Sequence, residues 1–189
     1  MPRLFTAIEI PESMRVRLSL LRGPLPAARW IQPENMHITL RFAGDIAPRT
    51  ADDFADQLAQ VSFEPFSVSI AGAGAFGGRD PRVLWAGVEP SLELQALYRA
   101  HERAACAAGL VPDPRTFKPH VTLARMRGSR QRAVAQFLED VGDLRIEPFT
   151  VERFVLLSAR PGSGGPPYGL EAVYPADDGG SEDYAESQF

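Results

Sequence analysis

Two histidines are followed by the same pair of residues at the same offsets: His37, Thr39 and Leu40 in "MHITLRFAG", and His120, Thr122 and Leu123 in "PHVTLARMR". An imidazole titrates near pH 6.5. At neutral pH one ring can therefore take up a proton while another, held protonated by a nearby anion, gives one up. That pairing suits displacement at phosphorus, where a nucleophile enters on one side and an oxygen departs on the other. The hydroxyls of Thr39 and Thr122, with a cation from Arg125 or Lys118, can hold the non-bridging oxygens and stabilise charge there. The chemistry requires no metal and no cofactor, because the side chains supply both proton transfer and charge stabilisation.

The elements around the motifs must bring the two rings together. "RLFTAIEI" predicts a strand and "PESMRVRLSLLR" a helix, with Met14, Leu18 and Leu21 on one stripe. "MHITLRFA" alternates as a strand, "PRTADDFADQLAQV" carries Phe54, Leu58 and Val61 at helical spacing, and "EPFSVSIAG" reads as a further strand. The second half repeats this order. "RVLWAGV", "SLELQALYRAHERAACAAG", "FKPHVTLAR", "SRQRAVAQFLEDV" and "EPFTVERFVLLSA" read as strand, helix, strand, helix and strand. His37 and His120 occupy the same slot 83 residues apart, which predicts an internal duplication of roughly residues 3–71 and 82–158. Alternation with period two puts Ile38, Leu40 and Phe42 on a core face opposite His37, Thr39 and Arg41. In the second strand Val121 and Leu123 face the core, while Lys118, His120 and Thr122 point the other way. An approximate twofold axis between the halves turns both polar faces into one cleft.

With "RWIQPENMHITLRFAGD", "RVLWAGV" and "TFKPHVTLAR" around the motifs, the chain resembles the 2H phosphoesterases. Within them it is most similar to the bacterial and archaeal RNA 2′,3′-cyclic phosphodiesterases, formerly called 2′-5′ RNA ligases or LigT-like proteins. The resemblance runs from about Arg3 to Tyr174. It implies a bilobal α+β fold over residues 1–175, with an antiparallel sheet in each lobe, helices outside and the active cleft between lobes. It also implies hydrolysis of RNA or nucleoside 2′,3′-cyclic phosphate ends to 2′-phosphates, without ATP or metal, and the reverse joining of such an end to a 5′-hydroxyl. Carried onto this sequence, His37 is the proton donor to the leaving 3′ oxygen and His120 the proton acceptor from water. Thr39 and Thr122 bind phosphate, and the family's Arg five residues after the second His matches Arg125. Strict alternation nevertheless places Arg125 on the Val121 face, so its role requires that the strand twist, bulge or end before it. Arg41, although on the His37 face, is expected at the surface.

Each signal has a plainer reading. Thr39 and Thr122 also suit a strand through β propensity alone, and Lys118 divides between phosphate contact and solvent. His101, beside Glu102 and Arg103 on a helix, reads as structural, and Cys106 as packing. "GAGAFG" (72–77) matches G-x-G-x-x-G, but a dinucleotide site must open a helix. Here "GRDPRVLWAGV" leads into a strand, so a turn-forming loop is the expected use. "PGSGGPPYG" (161–169) lacks the Lys-Ser/Thr of a P-loop and is expected to be a mobile hairpin connection bordering the cleft. Two rivals stand beside the enzyme: a non-catalytic RNA-end or nucleotide-binding module on the same fold, and a metal site using His37 and His120. The second lacks a Cys pair or a well-placed carboxylate to complete a first shell.

Bulk composition agrees with an end-recognising globular protein. The chain has 189 residues, 44% of them hydrophobic, enough for a buried core. Its net charge is −4, but the five carboxylates after residue 175 account for the acidity, leaving +1 for residues 1–175. A local basic groove fits that balance, whereas a long duplex-binding face does not. The segment 176–189 is expected to be a disordered acidic tail. Cys106 has no partner for a disulfide, and no window suggests a signal peptide or a spanning helix. A reducing, cytoplasmic location without membrane association is expected, with RNA ends as partners and no protein partner implied.

Overall fold

In the computed structural model, which describes residues 3–128, 131–159 and 168–177, the first half of the chain forms β1 (Arg3–Glu9), α1 (Glu12–Ser19), β2 (Ala28–Trp30), a 3₁₀ turn (Pro33–Asn35), β3 (His37–Asp45), α2 (Pro48–Leu58) and β4 (Phe66–Phe76). The second half forms β5 (Val83–Val88), α3 (Leu92–Ala107), β6 (His120–Met126), α4 (Gln131–Val141), β7 (Arg145–Val151), β8 (Arg153–Ala159) and β9 (Tyr168–Pro175). The class is α+β. No helix among the described residues is long and apolar enough to cross a membrane.

Strand order explains how the motifs meet. The strands run β7-β4-β5-β6-β3-β1-β8-β9, with β2 added to β6, and every pairing is antiparallel. Instead of the expected separate sheet in each lobe, all nine strands form one antiparallel sheet, in which a single residue pair, Ile38 with Val121, joins β3 to β6. Strands of the two halves also pair with each other: β4 with β5, and β8 with β1. This order sets β3 beside β6, so the His strands are neighbours by construction.

The helices supply much of the main core. Phe54 and Leu58 of α2, Leu94 and Leu97 of α3, and Val134 of α4 are buried, each large side chain contributing about 1.5–3 kcal/mol of burial. Ser91 begins α3 by accepting the Leu94 amide at 3.1 Å, a cap worth about 1 kcal/mol. A second, smaller cluster of Phe5, Ala7 and Val155 is separate from that core, with Leu157 and Tyr168 packed against it.

Several expectations are corrected at this level. "EPFTVERFVLLSA" forms two strands rather than one: β7 joins β4 in one lobe and β8 joins β1 in the other, with the break at Glu152. "GAGAFG" is mostly strand, because β4 continues to Phe76. Its glycines have separate uses: a Cβ on Gly74 would lie 2.3 Å from Cζ2 of Trp85, so Gly74 makes room for that ring, and Gly77 turns the chain at a φ of 112°. Cys106 is exposed rather than packed. Strands β2 and β9 are additional to the sequence reading. Residues 160–167 and 178–189 lie outside the described residues, and with them most of the expected hairpin connection and of the acidic tail.

Candidate active site

The residue pair Ile38–Val121 fixes the geometry. One antiparallel step to either side sets His37 across from Thr122 and Thr39 across from His120. That leaves the two histidines on a diagonal of about 7–8 Å between backbone positions. His37, Thr39, Thr122 and Arg125 line one small pocket of about 50 Å³, together with Ile31, Asn35 and Tyr168. His120 is not in that lining; its ring lies 5.0 Å from Phe76 and 6.4 Å from Trp85.

Both strands carry the same irregularity. On β1, Thr6 pairs with Arg41 and Ala7 with Thr39, skipping Leu40. On β5, Leu84 pairs with Ala124 and Trp85 with Thr122, skipping Leu123. A bulge adds one residue and reverses parity beyond it. Burial follows: the first six residues of β3 and of β6 share one pattern, in which positions two, four and five are buried and position six is exposed. This bulge brings Arg125 onto the face of His120 and Thr122, resolving the conflict that alternation alone creates.

The same bulge overturns two readings in the first half. Arg41 is buried at 6% exposure instead of lying at the surface, and its guanidinium pairs with Glu102 at 2.8 Å and donates to the Val111 carbonyl at 2.6 Å. Phe42, expected in the core, is 41% exposed and stacks beside Phe5 at 6.5 Å. His101 is structural as expected: it is fully buried, with Nδ1 2.8 Å from the Thr6 hydroxyl and its ring against Phe154.

The two imidazoles are oriented by identical local contacts. His37 Nδ1 lies 2.8 Å from the Asn35 carbonyl, and His120 Nδ1 lies 2.7 Å from the Lys118 carbonyl, each two residues back. A carbonyl oxygen only accepts, so Nδ1 carries the hydrogen and the Nε2 lone pair stays free. Burial pushes the His37 pKa down to about 4, with further lowering by the positive charge of Arg125 and by His120, against the Asn35 carbonyl. Burial also lowers the His120 pKa, as do Lys118 and Arg125, while the Lys118 carbonyl raises it.

Aromatic side chains wall the site on both sides. Tyr168 packs edge-on against His37 at 5.3 Å and against Phe5 at 5.1 Å. Across the cleft, Lys118 holds its ammonium 4.4 Å from the centroid of Trp85 and 5.5 Å from that of Phe76, and it is not part of the small pocket's lining. Trp85 and the Asn35 carbonyl are not among the site residues expected from sequence. The signal for Trp85 is present in retrospect, since it alternates with Val83 and Gly87 in "RVLWAGV" opposite the second motif. Among the described residues, no group of three or more His, Cys, Asp or Glu side chains is placed to hold a metal ion.

An open antiparallel sheet seamed by two bulged His-x-Thr strands defines an α+β phosphoesterase-type architecture, and comparison with known proteins agrees. The model of the 2′-5′ RNA ligase superfamily matches residues 11–162, and the chain belongs to that family. It is 37% identical over 135 residues to the RNA 2′,3′-cyclic phosphodiesterase of Aeropyrum pernix, covering 70% of this chain and 76% of the relative. It is 32% identical over 174 residues to the enzyme of that name from Methanothermobacter thermautotrophicus, covering 84% and 93%. The fold matches that of E. coli LigT complexed with 3′-AMP, with a TM-score of 0.75 at 23% identity over 93% of this chain and 99% of the other.

Proposed function

We propose that the protein hydrolyses the 2′,3′-cyclic phosphate at RNA or nucleoside ends to a 2′-phosphate, with one histidine taking up a proton and another releasing one, and without a metal. One observation carries this reading: two imidazoles on adjoining strands, each with Nδ1 committed to the carbonyl two residues back and Nε2 left free. His120 takes a proton from water as its oxygen bonds to phosphorus. The P–O3′ bond breaks, and His37 delivers a proton to the departing 3′ oxygen. Thr39 and Thr122 donate to the non-bridging oxygens and Arg125 neutralises their charge, which is greatest in the transition state. Lys118 adds positive charge beside His120 from its seat on Trp85. With a 5′-hydroxyl in place of water as the group that attacks phosphorus, the same steps join the cyclic end to it through a 2′-5′ linkage, without ATP.

The test is product identification by phosphorus NMR after incubation with a nucleoside 2′,3′-cyclic phosphate in excess EDTA. The expected product is the 2′-phosphate. His37→Ala and His120→Ala each lower turnover by about 10²-fold or more, the scale of a general acid or base. A 3′-phosphate product, wild-type rates in both variants, or tight binding with no turnover would defeat the reading, the last in favour of a binding module.

A further inference from the structure

The small pocket opens into a larger one. Arg125 and Ile31 line it and also line a groove of about 880 Å³ beside β2 and β6. The charged lining of that groove is Arg29, Arg82, Arg125 and Arg127 against one carboxylate, Asp80. Arg82 engages Asp80 at 2.9 Å, whereas Arg29, Arg125 and Arg127 pair with no carboxylate among the described residues. Arg29 is moreover directly opposite Arg125 in the β2–β6 ladder. Like charges facing each other across a sheet destabilise it, so the row carries a standing electrostatic cost that a bound polyanion relieves. A positively charged groove that tracks the backbone is how single strands are held.

The opposite side of the site has the other sign. Asn35, His37 and Tyr168 separate the small pocket from a cavity of about 610 Å³. There Glu9, Glu12, Glu34 and Glu152 outnumber Arg15 and Arg153. A chain of phosphates anchored at the small pocket is attracted along one direction and repelled along the other.

We propose that the Arg29–Arg82–Arg125–Arg127 groove is the track for single-stranded RNA leading to the cyclic end, so that the preferred substrate is an oligonucleotide rather than a free nucleotide. This rests on the small pocket being the phosphate site. Arg29 and Arg127 seat phosphates upstream of the reacting one, and Arg125 links track to site.

The experiment measures binding of a fluorescent single-stranded hexanucleotide ending in 2′-phosphate, and of a nucleoside 2′-monophosphate, as a function of salt. Each phosphate neutralised on a single strand adds about 0.7 to the slope of log K against log salt. The hexanucleotide is expected to show the steeper slope by about 2, for three added contacts. Arg29→Ala combined with Arg127→Ala removes about 1.4 of it and weakens binding about 25-fold at 0.1 M salt, as two such contacts require. Arg29→Lys with Arg127→Lys keeps the charge and the slope, which separates the lost contacts from a misfolded protein. Equal slopes for the two ligands, an unchanged slope in the Ala pair, or tighter binding of a hairpin duplex with the same end would overturn the proposal. The ligand is a product and nothing is turned over, so a protein that binds in this way yet opens no cyclic phosphate retains the track and loses only the proposed reaction.

Discussion

Filling the site with a nucleoside 2′-monophosphate is expected to raise the pKa of His37 by two units or more. In the free protein that pKa is about 4 because the ring is buried and faces the charges of Arg125 and His120. At pH 7 a group with such a pKa is protonated in about one molecule in a thousand, which makes it a poor donor until something stabilises its cation. In the proposed reaction the substrate's own anion is that partner. A unit negative charge about 5 Å from the ring, at an effective dielectric of about 20, contributes about 3.3 kcal/mol. That equals about 2.4 pKa units, lifting His37 from about 4 to about 6.4, where proton donation at neutral pH is efficient.

Nitrogen-15 NMR of the histidine side chains across pH 3–9, with and without the nucleotide, reads this directly. Arg125→Ala supplies a second arm with the opposite sign. Without that guanidinium the free His37 pKa rises, because one of the charges that depress it is gone, while the response to ligand shrinks because the anion is held less well. Kinetically, the alkaline limb of kcat should lie above that of kcat/KM, since the first reports the complex and the second the free protein. A His37 that titrates near 6.5 without ligand, or one that ignores ligand, would refute the reasoning and with it the assignment of His37 as donor.

Three further outcomes concern the frame around the site. Burial lowers His101 to about 3, so the unfolded chain accepts its proton near pH 6.5 and the folded chain refuses it until far lower pH. Its contribution to stability is therefore complete above pH 6.5 and lost as pH falls toward 3, amounting to about 2–3 kcal/mol by pH 4.5; urea unfolding at pH 7 and 4.5 should show His101→Gln less acid-sensitive by that amount, and equal sensitivity would dismiss the argument. Gly74→Ala drives a methyl group to 2.3 Å from Trp85, at an expected cost of about 1–3 kcal/mol with a shift in tryptophan emission; unchanged emission and stability would show the ring is not seated as described. Arg41→Met strands the Glu102 carboxylate beneath α3 and should cost about 3 kcal/mol, largely recovered by adding Glu102→Gln, whereas a loss that the second change leaves untouched would point to packing instead of charge.

The parity of His37, Thr39, His120 and Thr122 was readable because period-two alternation is strict over three residues. It fails at the fourth. A bulge at Leu40 or Leu123 has no glycine to announce it, and only the adjacency of a Leu to Arg41 in one strand and to Ala124 in the other reflects it. The clue available was the misfit itself: Arg125 had the right spacing for the family and the wrong parity for a straight strand. Had that misfit been carried to the same slot of the first half, it would have turned Phe42 outward and Arg41 inward. The split of "EPFTVERFVLLSA" left a similar trace. The buried residues change phase from Phe149 and Val151 to Phe154 and Leu156, a register break that a run of uniformly strand-forming residues disguises. Strand β2 has three residues and β9 buries little, so neither presents the alternation by which strands are recognised.

Duplication by itself yields a site that cannot tell its two sides apart, and the substrate proposed here has a chain on only one side. Histidine, threonine, bulge and carbonyl contact recur in both halves and supply matched proton carriers. The slot just past the bulge does not recur: it holds Phe42 in one half and Arg125 in the other. That inequality sets an apolar ring beside Phe5 in one half and, in the other, a cation that lines both the small pocket and the arginine groove. In the proposed reaction, direction, and with it the choice of which oxygen leaves, resides in the residues that the two halves do not share.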